Sequence, residues 1–183
     1  GAFLFLGSST GLSTTPDWTV DGDRQDALYG AATGTAGDIN GDGYSDVIIG
    51  APEYSNNQIM EGRAYVYYGS SQGLDTTAAW ITEGDRTASL FGSSLGTAGD
   101  VNGDGFSDVI IGTSYHSNAF TSTGYVFVYY GSAEGLSLSA DWTGDCYQSG
   151  ALCGSSVGTA GDVNGDGFSD IVIGAFNSTN KEG

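Results

Sequence analysis

Positive charge is scarce in this sequence, and the scarcity excludes one class of partner. Only 4 of the 183 residues are Lys or Arg, whereas 22 are Asp or Glu, so the formal net charge is −18 at pH 7. Nucleic acids are bound through basic surfaces that neutralise phosphates, so we expect no nucleic-acid partner. The acidic excess has two interpretations: a strongly solvated surface, or carboxylates that bind cations.

Long apolar runs and histidine are scarce as well. No apolar run approaches the roughly 18 residues that a membrane-spanning helix requires, so we expect no membrane span. The single histidine, His116, lies in a polar loop, and no serine has a histidine and an aspartate beside it in the repeat register described below. The sequence therefore predicts no catalytic residues and no enzymatic activity.

Proline is nearly absent, with 2 residues, whereas glycine is abundant, with 32. Gly, Ser, Thr and Asn form short clusters between apolar runs, and no stretch keeps a helical period. This layout is typical of many short strands joined by tight turns. We predict an all-β fold.

The chain repeats itself with a period of 62 residues. The segments DINGDGYSDVIIG, DVNGDGFSDVIIG and DVNGDGFSDIVIG begin at Asp38, Asp100 and Asp162, and the three tryptophans keep the same spacing. Each repeat predicts four strands: one before the Asp-rich loop, one after it, an aromatic run, and one around the tryptophan. The second and third strands are apolar at consecutive positions, so both faces of the sheet are covered. A repeated four-stranded antiparallel sheet covered on both faces is a β-propeller blade.

The repeat register divides the chain into three blade equivalents. We predict a half-blade over 1–28, whole blades over 29–90 and 91–152, and a half-blade over 153–183 that complements the first. Propellers usually have four to eight blades, so three outcomes stay open. Two chains pair head to tail into six blades, the chain is part of a longer propeller, or the joins propagate into a filament.

Short motifs identify a family resemblance over essentially the whole chain. The pairs Tyr29-Gly30, Phe91-Gly92 and Cys153-Gly154 correspond to an "FG" element, and Gly50-Ala51-Pro52 to a "GAP" element that is degraded in the later repeats. The sequence resembles the FG-GAP repeat, the blade of the integrin α-subunit propeller. The resemblance implies an extracellular module for adhesion or ligand recognition. A structural or self-assembling unit, including an engineered half-propeller, is the alternative, and a fragment of a hydrolase or lyase is the second alternative.

The Asp-rich loops have the pattern D-x-N-x-D-G-x-x-D, which predicts three structural calcium sites. Side chains at positions 1, 3, 5 and 9 and the carbonyl of position 7 supply hard oxygen ligands, which favour calcium. An isoleucine stands where an EF-hand has its glutamate at position 12, so an EF-hand is excluded. The predicted ligands are Asp38, Asn40, Asp42, Tyr44 (carbonyl) and Asp46; Asp100, Asn102, Asp104, Phe106 (carbonyl) and Asp108; and Asp162, Asn164, Asp166, Phe168 (carbonyl) and Asp170.

The two cysteines, Cys146 and Cys153, flank a predicted turn, and we expect them to form a disulfide rather than remain free thiols. Disulfides persist in oxidising compartments, so together with calcium they indicate an extracellular or cell-surface location, where Asn177 is a permitted glycosylation site in a eukaryotic source. The loops 53–61, 115–123 and 176–182 differ between the repeats. Variable loops on a constant scaffold are typical of recognition, so a protein or glycan ligand is expected there.

Overall fold

The structure is a computed structural model that describes residues 1–114, 117–118, 121–147 and 150–176. Over these residues it contains strands and turns and no helix. The strands are β1 (Ala2–Leu4), β2 (Gly7–Ser8), β3 (Gly11–Leu12), β4 (Trp18–Val20), β5 (Ala32–Gly37), β6 (Asp46–Ala51), β7 (Arg63–Tyr67), β8 (Trp80–Glu83), β9 (Phe91–Gly99), β10 (Asp108–Thr113), β11 (Ser117–Asn118), β12 (Thr121–Ser122), β13 (Tyr125–Tyr129), β14 (Trp142–Gly144), β15 (Cys153–Gly161) and β16 (Asp170–Ala175).

Two four-stranded antiparallel sheets form the centre of the molecule. Their strand orders are β5-β6-β7-β8 and β9-β10-β13-β14. Two-stranded sheets, β1-β4 and β15-β16, lie on the outer sides, and β2-β3 and β11-β12 are small hairpins. The predicted all-β class and the four-stranded antiparallel unit are confirmed. In β9 a register shift lets Phe91 pair with Thr113 beyond the regular ladder.

The antiparallel order sends successive connections to opposite ends of each sheet. In the sheet β5-β6-β7-β8 Gly37 is paired with Asp46 beside the Asp-rich loop, whereas Ala51 is paired with Arg63 at the other end. Arg63 is in turn paired with Glu83. We call these two ends the Asp-loop end and the opposite end. The connections 52–62 and 84–90 therefore lie together at the opposite end.

Successive residues of a strand face different neighbours, as pleated strands require. In β6, Ile48 belongs to a buried cluster with Val109 and Phe91 of the next four-stranded sheet, whereas Ile49 belongs to a cluster with Ala2 and Tyr65. Both faces of the sheet are therefore buried, which explains why the strand is apolar at consecutive positions.

Two of the three tryptophans, Trp18 and Trp80, pack on the blade that follows their own. Trp18 lies edge-on to Tyr67 with ring centroids 5.2 Å apart, and Trp80 lies edge-on to Tyr129 at 5.0 Å. Each indole also donates a hydrogen bond across the junction, from Trp18 Nε1 to the Asp75 carbonyl at 3.0 Å. The tryptophans thus hold neighbouring blades together.

The predicted disulfide is present between Cys146 and Cys153, whose Cα atoms lie 5.6 Å apart. Cys146 follows β14 and Cys153 begins β15, so the bond ties the third repeat to the last two-stranded sheet. The disulfide lies in the connection between β14 and β15, which corresponds to the connection between β8 and β9 that carries Asp85 and Arg86. The turn residues 148–149 lie outside the described residues.

Candidate metal centre

The three Asp-rich loops join the first and second strands of successive sheets, and each is folded by its own first aspartate. Asp38 Oδ1 accepts the N–H of Asp42 at 3.1 Å, and Asp38 Oδ2 accepts the N–H of Gly43 at 2.9 Å. The matching bonds on Asp100 and Asp162 have the same lengths. The three loops therefore share one conformation, built by side chains that accept hydrogen bonds from nearby backbone.

The side chains at positions 3 and 5 lie against each other in every loop. Asn40 Nδ2 donates to Asp42 Oδ2 at 3.1 Å, Asn40 Oδ1 accepts the Asp42 N–H at 3.1 Å, and Asp42 Oδ1 accepts the Tyr44 N–H at 2.9 Å. Oxygen atoms from positions 1, 3 and 5 are thus gathered within nine residues of chain, and hard oxygen donors of this kind suit calcium.

The aspartate at position 9 closes the base of the loop. Asp46 is fully buried, and its two oxygens accept the N–H groups of Ile39 and Gly69, each at 2.8 Å. Asp108 makes the same pair of bonds. Burial raises the pKa of Asp108 to about 6, with a smaller contribution from the charges of Asp104 and Asp100. A carboxylate in this position is destabilised as an anion until a cation approaches.

The structure places every predicted ligand in its loop but does not draw the carboxylates into one tight cluster. Within the described residues, the group in which three acidic side chains each place an oxygen within 4.8 Å of the other two is Glu61, Glu83 and Asp85. The aspartates of the loops are farther apart than this. The calcium assignment of the loops therefore stays a prediction.

Neighbouring loops are joined to one another, a feature that the sequence reasoning missed. Ser107 donates its N–H to the Asp38 carbonyl at 2.9 Å, and its hydroxyl accepts the Asp38 N–H at 3.1 Å. The Phe106 ring also covers Gly41, where an added Cβ would lie 2.7 Å from the ring. Ser169 and Phe168 repeat these contacts on the preceding loop. The signal in the sequence is the aromatic residue at position 7 of every loop, of which the calcium pattern uses only the carbonyl.

The acidic trio at the opposite end was also missed. Its members are 22 and 2 residues apart in the chain. Asp21 and Asp23 precede Glu83 and Asp85 by one period, but the residue one period after Glu61 is Thr123, so the repeat does not predict the complete trio. His116 and Asn177, and parts of the loops 115–123 and 176–182, lie outside the described residues. Among the described residues, no helix has the length and apolar character needed to cross a membrane.

Repeated four-stranded antiparallel sheets, each covered on both faces and each preceded by an oxygen-rich loop, define a β-propeller architecture. The FG-GAP repeat family matches residues 29–67, 91–129 and 154–182. The chain belongs to the FG-GAP repeat family, as its motifs predicted.

Named relatives cover most of this chain. Phosphatidylinositol-glycan-specific phospholipase D of Bos taurus is 40% identical over 77% of the chain, which corresponds to 18% of that protein. Integrin alpha-4 of Xenopus laevis is 34% identical over 85% of the chain and 15% of the relative. Integrin alpha-8 of Homo sapiens is 30% identical over 95% of the chain and 17% of the relative. The chain therefore spans less than a fifth of the length of these relatives.

Proposed function

We propose that the chain is a non-catalytic, calcium-stabilised β-propeller module that recognises a protein or glycan outside the cell. The observation that carries the proposal is the chain of linked Asp-rich loops. Each loop gathers oxygen donors, and the first and second loops are each hydrogen-bonded to a serine of the following loop and covered by its aromatic residue. An ion in one loop would therefore stiffen both the loop and the junction between two blades.

Calcium would be held by the side chains of positions 1, 3, 5 and 9 and the carbonyl of position 7 in each loop. The burial of Asp46 and Asp108 supports this assignment, because a buried anion needs a compensating charge. The disulfide between Cys146 and Cys153 supports an oxidising, extracellular location. Recognition is assigned to the opposite end, where the connections vary between repeats while the Asp-loop end repeats itself.

Calorimetry with and without a chelator tests the calcium assignment. Each site saturated at a hundred times its dissociation constant adds about 2.7 kcal/mol to the free energy of unfolding, so calcium should raise the melting temperature by several degrees per site. Asp104→Asn, in the middle loop, should lose part of that gain. Asp21→Asn, which removes a carboxylate that is 95% exposed and outside the loops, is the matched control. A melting temperature unaffected by calcium removal would refute the assignment.

Arrays of glycans and extracellular proteins test recognition. We expect binding to be reduced by substitutions in the loop 53–61 and unaffected by Glu134→Gln, which changes an exposed residue between β13 and β14 at the Asp-loop end. Turnover of a phosphodiester or polysaccharide substrate by the purified chain would contradict the non-catalytic assignment. It would instead favour an FG-GAP hydrolase, the alternative suggested by the similarity to a phospholipase D.

We also propose that the outer sheets are completed by another FG-GAP blade. Apolar side chains are exposed on these sheets, where Phe3 is 63% and Val172 57% exposed, and on the neighbouring β14, where Trp142 is 41% exposed. Within the described residues β1 pairs with β4 alone and β15 with β16 alone. An open strand edge beside exposed apolar surface is a site for pairing with another chain.

The repeat register identifies the groups that would meet at the seam, by which we mean the junction between the last blade of one chain and the first blade of a second copy. Trp80 packs on Tyr129 and donates to the Ser137 carbonyl at 3.1 Å. In the same register Trp142 would pack on Phe5 of a second copy and donate to its Ser13 carbonyl. Phe5 is 43% exposed in the single chain. For the 183-residue chain in solution we propose a head-to-tail pair with two such seams, which closes a six-bladed ring.

A further inference from the structure

Glu61 is a buried acid with one unused oxygen. It is the penultimate residue of the connection 52–62, at the opposite end of the sheet β5-β6-β7-β8, and it is fully buried. Its Oε1 accepts the N–H groups of Asn56 at 2.6 Å and Asn57 at 3.0 Å. Its Oε2 is buried and has no hydrogen-bond partner. Buried polar atoms are almost always paired, so an orphaned carboxylate oxygen indicates a missing ligand.

Two further acids lie beside it. Glu83 ends β8 and Asp85 follows two residues later, and each offers an oxygen within 4.8 Å of Glu61 and of the other. The backbone holds this arrangement, because the Gly84 N–H donates to the Gly62 carbonyl at 3.1 Å and the Ser89 hydroxyl donates to the Glu61 carbonyl at 2.5 Å. The two connections at this end are thus fixed against each other.

The nearby guanidinium of Arg63 is already engaged by other partners. Its Nε donates to Glu83 Oε1 at 2.9 Å, and its Nη1 lies 2.9 Å from Asp23 Oδ2. Its carbon Cζ also lies 3.6 Å from the centre of the Tyr54 ring. One guanidinium shared in this way orients Glu83 but leaves Glu61 Oε2 unpaired. Three carboxylates this close repel one another unless a cation lies between them.

We propose that Glu61, Glu83 and Asp85 bind a hard divalent cation, calcium or magnesium, at the end of the propeller opposite the Asp-rich loops. Carboxylate oxygens are the ligands both ions prefer, and water completes the coordination in either case. One period later Thr123, Asp145 and Tyr147 occupy the same positions, and one period earlier Asp21 and Asp23 stand at the positions of Glu83 and Asp85. The next blade junction therefore lacks the complete trio, and the proposed site ties the variable connection 52–62 to the scaffold.

Metal analysis after equilibrium dialysis tests the proposal on the whole 183-residue chain. The wild-type chain and the variants Glu61→Gln and Asp85→Asn are dialysed against calcium alone or magnesium alone. We expect both variants to hold one ion per chain fewer than the wild type in at least one of the two metals. Asp145→Asn, the register equivalent of Glu83, is the matched control and should lose none. This difference in ion count between the wild type and the variants does not depend on how many ions the Asp-rich loops bind. The metal with which the variants hold fewer ions is the one that the site binds.

Asp85 is exposed, so Asp85→Asn keeps the test decisive even if Glu61→Gln prevents folding. Melting in chelator gives a second measurement. The amide of Glu61→Gln can donate to the neighbouring carboxylates, so this variant should melt at or above the wild-type temperature without metal and below it with metal. Equal ion counts in the wild type and in folded Asp85→Asn, in both metals, would overturn the proposal.

Discussion

Replacing Trp142 with alanine should separate the paired chains while leaving each chain folded. Trp80, in the equivalent position, is 6% exposed and packs on Tyr129 inside the chain. Truncating a buried tryptophan usually costs about 3–5 kcal/mol, so Trp80→Ala should destabilise the chain itself. Trp142 is 41% exposed, so in the single chain its truncation should cost much less.

The cost at the seam follows from the contacts that Trp142 would gain. Covering the remaining exposed part of the indole removes about 100 Å² of surface from water, which is worth about 2.5 kcal/mol. An edge-to-face ring pair adds about 1 kcal/mol, and the indole hydrogen bond adds about 1 kcal/mol. A closed pair has two seams, so Trp142→Ala should raise the dissociation constant at least about a thousand-fold.

Light scattering across a range of concentrations measures this effect. The wild-type chain should have twice the 18.7 kDa mass of one chain, and Trp142→Ala should have the single mass with an unchanged circular dichroism spectrum. Ile59→Ala, which truncates an apolar residue that is 69% exposed and belongs to neither outer sheet, should remain paired. A wild-type chain of single mass at every concentration would refute the reasoning, and a mass that grows without limit would replace the ring with a filament.

Three further predictions concern stability. Burial, reinforced by the hydrogen bond to Tyr67, raises the pKa of Tyr29, and burial raises the pKa of Tyr65. Both phenols should stay protonated at about pH 11, whereas an unfolded tyrosine ionises near pH 10. The contribution of these two protonated tyrosines to the free energy of unfolding is therefore complete below about pH 10 and is lost as the pH rises further. Ultraviolet titration measures the ionisation of the phenols, and urea unfolding at the same pH values measures the loss of stability. Ala88 has a left-handed backbone with φ 56°, and its equivalent in the third repeat is Gly150. Ala88→Gly should therefore raise the free energy of unfolding by up to about 1 kcal/mol and the melting temperature by about 2–4 °C; a lower melting temperature would contradict this. Replacing Cys146 and Cys153 with serine should lower the free energy of unfolding by about 2.5 kcal/mol on the chain-entropy account, and equal urea midpoints would show that the bond adds no stability.

The strands and loops could be predicted because their signals are local or repeated. A consecutive apolar run such as Val47–Ile49 indicates a strand that is buried on both faces. This prediction does not require knowing which elements pack on those faces. The Asp, Asn and Gly spacing of the loop at Asp38 forms a tight turn through side-chain hydrogen bonds within nine residues. The disulfide followed from two cysteines on either side of a short turn.

Contacts between distant residues could be decided only by the tertiary structure. The hydrogen bond of Ser107 to Asp38, the packing of Trp80 on Tyr129 and the meeting of Glu61 with Glu83 all depend on how one blade or connection lies against the next. The sequence by itself determined the repeat, the family and the oxygen-rich loops, because hydrophobic pattern and turn chemistry act over a few neighbouring residues. Only the tertiary structure decided which side chains of different repeats touch and where a buried carboxylate lacks a partner, because those facts depend on the stacking of whole sheets.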